Sequence, residues 1–410
     1  MPARLSQTGA FLDTTNLVPS PALIPYDLVV PFWSDGAGKS RWIAVPTLGP
    51  AGPQRIKAGP TGEWVFPKGT VLVKHFELPT DARHPEVRRR LETRLLVCDS
   101  TGGVYGVTYK WRPDNSDADL LTTNLSEQIL VQTLGGCRTQ TWYYPNRSDC
   151  RTCHTQLAGG PLGPKTRQLN RPFSYPSGVT DNELRAWSHA GLLDPGFSDE
   201  QLASLPALTP LENGPGSAPA SATELQARAR SYLDANCAQC HRPGGTVANF
   251  DARFDTPLER QQLINGEVLI DEGLDNPRVI APRDIWRSVA FLRVTSLDGL
   301  KMPPLAHQEL DQHGIALMKE WIESLPGRPV LPPPLISPRG GHHSKSVEIT
   351  VSETEPDCAI HYTLDGSVPA LSDPLYDKPV RVNETSVFRA KAFKKGFTHS
   401  ITVQEVFTFD

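Results

Sequence analysis

Two Cys-x-x-Cys-His pentads constrain what this chain can fold into more than any other feature: Cys150-Arg151-Thr152-Cys153-His154 and Cys237-Ala238-Gln239-Cys240-His241. The pattern matches covalent haem attachment, in which two thiols add to the porphyrin vinyl groups and the adjoining His supplies one iron ligand. Two intervening residues let one tight turn present both sulfurs to the porphyrin edge, and the next side chain then lies over the iron. The pentads take four of only seven cysteines. Cys-x-x-Cys also grips zinc, but ribbon-type zinc sites pair two such halves roughly 15–20 residues apart. Here the halves lie 87 residues apart (150 to 237). Two covalently bound haem c groups are therefore expected at Cys150, Cys153, Cys237 and Cys240, with His154 and His241 as axial iron ligands. A zinc or redox-dithiol site is the alternative.

Composition narrows the rest. A chain of 410 residues suffices for about two to four domains, each with a core of its own. The net charge of -4, with both signs mixed, gives no electrostatic footprint for nucleic acid or an anionic membrane. No run of about 18 apolar residues exists to span a bilayer. With 39 prolines and 32 glycines, turns and loops are frequent, which argues against a mostly helical architecture. The start, Met1-Pro2-Ala3-Arg4, has no apolar h-region. Since this type of haem attachment takes place outside the bacterial cytoplasm, a periplasmic or otherwise extracytoplasmic location is expected. The export signal is then either trimmed or carried by an upstream piece of a longer protein.

Along the chain, residues 1–135 read as a β domain. Arg41-Trp42-Ile43-Ala44-Val45, Thr70 to Phe76, Leu95 to Cys98 and Val104 to Trp111 alternate β-branched or aromatic with polar residues, which favours an antiparallel sandwich. Residues 136–208 form a first haem-binding unit, with a short helix expected after Asp181 through Leu184 and Trp187. A breaker-rich linker from Thr209 to Ala220 leads to a second unit, residues 221–328. There Ser221-Ala222-Thr223-Glu224 fits a capping box, and Leu225, Ala229, Tyr232 and Leu233 line one helix face ending before Cys237. Ile315, Met318, Ile322 and Leu325 make a closing helix that Pro326-Gly327 stops. A proline-stiffened tether at Leu331 to Pro334 precedes a small C-terminal β-sandwich of the immunoglobulin or fibronectin kind, residues 344–410. The fold class expected is multidomain α+β, with two α-helical cytochrome c-type haem units between β modules.

Sixth ligands come from a short search. Met302, in Lys301-Met302-Pro303-Pro304, lies 61 residues after His241 (241 to 302) and just before the closing helix, which suits a thioether ligand of the second haem. Met318 belongs to an apolar helix face. The first haem has no methionine nearby. His189, at a helix end, is the candidate sixth ligand of haem 1, followed by His75 on a strand, whereas His84, His342 and His343 read as loop residues. A bis-histidine haem 1 beside a His/Met haem 2 sends electrons downhill from the first to the second, because thioether ligation raises the potential. Export would permit Cys98 and Cys137 to pair, leaving Cys358 over.

Two resemblances follow from particular segments. Leu5-Ser6-Gln7-Thr8-Gly9-Ala10-Phe11, Phe32-Trp33-Ser34-Asp35-Gly36-Ala37, Phe66 to Lys74, Arg94-Leu95-Leu96, Tyr109-Lys110-Trp111-Arg112, Ser148-Asp149-Cys150 and Gln168-Leu169-Asn170-Arg171 resemble the diheme c-type cytochrome module of planctomycete-type exported proteins. That likeness implies an N-terminal β domain, haem-binding units and electron transfer outside the cytoplasm. His361-Tyr362-Thr363-Leu364-Asp365-Gly366-Ser367, Leu375-Tyr376 and Phe388 to Ala392 resemble the small β-sandwich appended to chitobiases and hexosaminidases, which implies an accessory module without hydrolase activity. The function expected is a diheme electron carrier between redox partner proteins, a dehydrogenase donor and a cytochrome or oxidase acceptor. The alternatives are a diheme peroxidase or oxidase with an open site at haem 1, and a haem-bearing protein whose β modules contact carbohydrate or a partner. No clear distal acid–base pair supports the enzymatic alternative.

Overall fold

Alternating apolar and polar residues along the N-terminal third build a six-stranded antiparallel sheet. In order it comprises β1 (Ile24–Tyr26), β2 (Gly38–Ala44), β3 (Val71–Pro79), β4 (Arg88–Cys98), β5 (Val104–Trp111) and β6 (Ala118–Leu120). The computed structural model describes residues 1–46, 54–212, 220–246, 249–353 and 355–410. These divide into one unit of Met1–Gln261 with Arg293–Leu317 and another of Gln262–Leu292 with Met318–Asp410.

The strand period of two gives the sheet two distinct faces. One buries Trp42, Val73, Leu95 and Tyr109 beneath Leu5 and Phe11 of the N-terminal segment. The other sets Ile43, Leu72 and Leu96 against Trp64, Leu169, Leu184 and Trp187. Register fixes this second face: Ile43 lies opposite Leu72, Leu72 opposite Leu96, and Leu96 opposite Gly106. A one-residue slip would turn every one of these side chains to the other face. A hairpin of β7 (Leu125–Thr133) and β8 (Gly136–Tyr144) packs Ile129, Val131, Trp142 and Tyr144 against Phe76, Leu78 and Leu91. Strand structure therefore runs through Tyr144, close to the first pentad, past the boundary expected at residue 135.

Helix is scarcer than the sequence suggests. The expectation of an α+β chain with two α-helical haem units is overturned: 31% of the structure is strand and 16% helical. The first pentad rides on α1 (Arg147–Cys153), a single short helix packed on β5. Its C-terminal side is a loop, in which Gly159, Gly160 and Gly163 all take left-handed backbone. Beyond the second pentad the chain proceeds by turns, with one 3-10 turn (Leu258–Arg260) before the next helix. Pro257, Pro277 and Pro282 deny helical hydrogen bonds there, and Gln262, Asn265, Asn276 and Arg283 adopt positive φ. Breakers outweigh the apolar periodicity.

The helices that do form follow local rules. α2 (Glu183–His189) is capped by Asn182, whose side chain accepts from the Leu184 and Arg185 amides. Asp181, expected as the cap, instead holds Arg185 at 2.8 Å. α3 (Ala222–Asn236) begins where Ser221 Oγ accepts from the Glu224 amide at 3.2 Å. α4 covers Val289–Val294 and α5 covers Gln312–Ser324. Gly314, at the start of α5, is required by its neighbour: a Cβ there would lie 2.4 Å from the Tyr232 ring of α3.

In the second unit two sheets form a sandwich. β9 (Leu335–Ser337), β11 (Val347–Ser352) and β13 (Val380–Val382) make one. β10 (Gly341–His343), β15 (Val403–Phe409), β14 (Ser386–Phe393) and β12 (Ala359–Thr363) make the other. Leu331, Ile349, Phe388 and Phe407 are fully buried between them. The proline-rich segment expected as a tether is thus partly core, and the Leu331 amide donates to the Thr398 carbonyl at 2.9 Å. The sandwich also holds part of the chain that follows the second pentad. Arg287 donates to the Ser400 carbonyl at 2.8 Å, and Lys391 reaches Asp275 at 2.6 Å. All seven cysteines are unpaired, so the expected Cys98–Cys137 bridge is absent. Among the described residues no helix is long and apolar enough to cross a membrane.

Candidate functional site

The first pentad is positioned by its flanks. Asn146 caps α1, accepting from the Ser148 and Asp149 amides, while Asp149 accepts from the Asn146 amide and the Tyr143 hydroxyl. The Pro145 carbonyl accepts from Thr108 Oγ1 of β5 at 2.8 Å, which pins the helix start to the sheet. One row further along the same face, Gly106 leaves room for the Cys150 thiol: a Cβ on Gly106 would sit 2.5 Å from Cys150 Sγ. At the other end of the pentad the chain turns back through Gly160 (φ 73°). His154 Nδ1 donates to the Gly160 carbonyl at 2.9 Å. Because that carbonyl can only accept, the proton belongs on Nδ1 and the Nε2 lone pair is left for a ligand role. Low-polarity surroundings push His154 down to about 4, so the ring is neutral.

The second pentad follows α3 directly. Asn236, the last residue of α3, accepts from the Trp33 amide at 2.8 Å. Trp33 Nε1 in turn donates to the Glu309 carbonyl at 3.0 Å, and Asp35 Oδ1 accepts from the Gln308 and Glu309 amides. The Phe32-Trp33-Ser34-Asp35-Gly36 turn therefore ties the second pentad to the loop after Met302. His241 stacks on Phe250 at 4.4 Å, and its buried Nδ1 has no hydrogen-bond partner. Burial, then nearby Arg293, lowers it to about 4. The Met302 amide donates to the Arg293 carbonyl at 3.0 Å, so Arg293 neighbours both expected ligands of the second haem.

His307 was not singled out by the sequence. It is 2% exposed, donates from Nδ1 to the Met302 carbonyl at 2.8 Å, and leaves a buried Nε2 without a partner. The only sequence signal for it is its place in the Met302 loop.

The two pentads meet in space. Cys240 Sγ lies 3.8 Å from the Thr152 carbonyl and within hydrogen-bonding reach of the Cys153 thiol. That contact draws Cys240 down to about 7 and drives Cys153 upward. A buried ionic network backs the junction. Arg167 holds Asp234 of α3 at 2.8 Å and Asp255 at 2.6 Å, Lys165 holds Asp234 at 3.1 Å, and Arg242 holds Glu63 at 3.0 Å. Burial alone would raise the Asp234 carboxyl, but Lys165 and Arg167 hold it well below the ordinary range.

A cavity of about 180 Å³ opens beside the first pentad. Cys150, Cys153 and His154 form one wall, and Gln239 of the second pentad contributes to it. Leu28, Val30 and Phe32 supply apolar surface, and so do Leu72 and Leu96 of the sheet. Next to those leucines, on the same face, Arg41 lies opposite Lys74 and Lys74 opposite Arg94. Arg41 reaches Asp27 at 2.5 Å, and Arg94 binds Glu92 through two bonds of 2.6 and 2.8 Å.

No second His or Met is among the residues lining the cavity. His189 is exposed at the end of α2 and does not border it. His75 points to the opposite sheet face, where Thr93 (2.8 Å) and Glu77 (3.3 Å) occupy both ring nitrogens. His84 is exposed, and His342 and His343 belong to β10. The residues at the first pentad fit a covalently held haem: an apolar cavity, two thiols on its wall, a glycine cradle and an imidazole with the correct nitrogen free. At the second pentad, Cys237, Cys240 and His241, with Met302 in the loop bonded to Arg293, would supply the donor set for a second haem. The zinc alternative fits less well. Although the pentads converge, among the described residues no group of three or more His, Cys, Asp or Glu side chains is placed to hold a metal ion.

Residues 338–405 match the chitobiase/beta-hexosaminidase C-terminal domain family. The match coincides with the sandwich of the second unit, where the sequence resemblance was drawn. Comparison of the chain with curated proteins and with solved structures gives no match.

Proposed function

We propose that this protein is a diheme c-type electron carrier acting outside the cytoplasm, passing electrons between a dehydrogenase donor and a cytochrome or oxidase acceptor. The observation that carries the reading is the convergence of the pentads, with the Cys153 and Cys240 thiols side by side beside a cavity walled by His154. When bound, haem supplies a one-electron couple whose potential is set by axial ligands, charge and burial. The chain's own residues do the positioning. Gly106 admits Cys150, the Gly160 carbonyl orients His154, and the ionic network around Asp234 keeps the two attachment turns at a fixed separation. Adjacent attachment turns favour transfer between the two centres.

His189 is exposed and His75 faces the other side of the sheet, both away from the cavity, so bis-histidine ligation does not set a direction of transfer from haem 1 to haem 2. One observation favours a second reading, a diheme peroxidase or oxidase. The cavity offers no His or Met opposite His154, which suits an open coordination position.

Optical and EPR spectra of the oxidised and reduced protein separate the two. The carrier reading expects two low-spin haems that titrate reversibly and ignore cyanide, azide and peroxide. A high-spin haem that binds peroxide contradicts it and supports the enzymatic reading.

A further inference from the structure

We propose that Arg41, Lys74 and Arg94 form the seat for the two propionate groups of the haem attached at the first pentad, an inference that rests on the haem reading above.

Three basic residues far apart in sequence stand side by side on β2, β3 and β4, all facing the cavity. A fourth, Lys39, shares the face and donates to the Phe32 carbonyl at 2.7 Å. Charges withdrawn from water need partners, since an unpaired buried charge is strongly destabilising. The carboxylates at hand do not meet that need. Asp27 takes Arg41 and Glu92 takes Arg94, while Lys74, which has Glu92 in its surroundings along with Lys39, Arg41 and Arg94, forms no ion pair of its own among the described residues and lies 5.1 Å from the Phe76 ring. Arg41 is 5% exposed, and its Nη2 is buried with no partner. Burial, and after it repulsion from the neighbouring cations, lowers the basicity of both Lys39 and Lys74. The cluster therefore gathers more basic groups than paired carboxylates on one wall of the cavity.

Its place in the cavity agrees. The thiol end lies over Gly106 on β5, and Lys74 is on β3, two strand spacings or about 10 Å across the sheet. Between them the floor is Leu72 and Leu96, with Arg94 of β4 alongside. The cavity thus offers thiols on one wall, apolar surface on its floor, and a row of cations that runs from Arg94, near the thiols, to Lys74 and Arg41 further across the sheet. That sequence of chemistries matches a porphyrin whose vinyl and propionate edges are opposite.

Lys74→Gln tests the seat on the haem-loaded full chain, with Lys74→Arg as the conservative rescue. Covalent haem per chain, the midpoint potentials and the resonance Raman propionate bending modes are read together. The seat predicts two haems in Lys74→Gln, a lower midpoint for one centre with the other unchanged, and a shifted propionate mode. Lys74→Arg then matches wild type. Two haems with unaltered midpoints and propionate modes overturn the proposal while leaving the haem reading intact. If both variants turn haem 1 from low-spin to high-spin, Lys74 ligates the iron and the proposal is again wrong. If Lys74→Gln fails to load haem, Lys74→Arg decides: wild-type loading and potential support the seat, and loss contradicts it. A wild-type chain without covalent haem defeats the underlying reading itself.

Discussion

The smallest structural fact with a large consequence is the missing Cβ at residue 106. Gly106 sits in a central position of β5, where glycine normally weakens a strand. Here the Cys150 thiol occupies the space a side chain would take. Gly106→Ala should therefore displace α1 and reduce covalent haem at the first pentad several-fold, leaving the second loaded. Haem content per chain checks this, and full loading of both pentads would contradict it. The pentads were legible in the sequence, because the proposed attachment reaction would fix the Cys-x-x-Cys-His spacing. Gly106 was not, since its purpose depends on which residue a distant helix brings over it. His307 was hidden for a similar reason, and His189, a candidate from its place at a helix end beyond His154, stands exposed at that helix end.

At the scale of elements, the join between the short helix Thr166–Leu169, α3 and the loop at Glu63 depends on buried charge. Asp234 is 2% exposed and accepts from Arg167, Lys165 and the Phe254 amide. Asp234→Asn removes one partner of a buried network and should cost about 3–5 kcal/mol, read as a lower denaturant midpoint. The folded carboxyl lies well below its ordinary value of 3.8. Its stabilisation is therefore fully present above the unfolded-state value and is lost as the pH falls below it towards the folded one. Wild type should lose stability steeply below about pH 4, and Asp234→Asn less steeply; parallel acid profiles would show that Asp234 carries none of the effect. Helices with local caps, such as α3 behind Ser221, could be read from the sequence, as could the alternating strands. The extent of helix could not. Prolines and left-handed residues after the second pentad override an apolar pattern that resembles a small cytochrome, and Asp181 gave up its cap to pair with Arg185.

For the whole chain, the sequence revealed two pentads but not their meeting. Their separation along the chain is large, and the packing of α1 on β5, the grip of the Trp33–Asp35 turn on Asn236, Gln308 and Glu309, and the ionic network around Asp234 bring the attachment turns together. The C-terminal sandwich was legible from its strand signals and its family resemblance, although its core reaches back to Leu331, its Lys391 pairs with Asp275 and its Ser400 carbonyl accepts from Arg287 of the preceding segment. The central claim is that both pentads carry haem. Expression of the chain behind an export signal, in a host that matures c-type cytochromes, followed by intact mass and pyridine haemochrome analysis, tests it most directly. The account predicts two covalent haems per chain, falling to one in Cys150→Ala/Cys153→Ala and one in Cys237→Ala/Cys240→Ala. A chain that matures with free thiols or bound zinc and no covalent haem would contradict it.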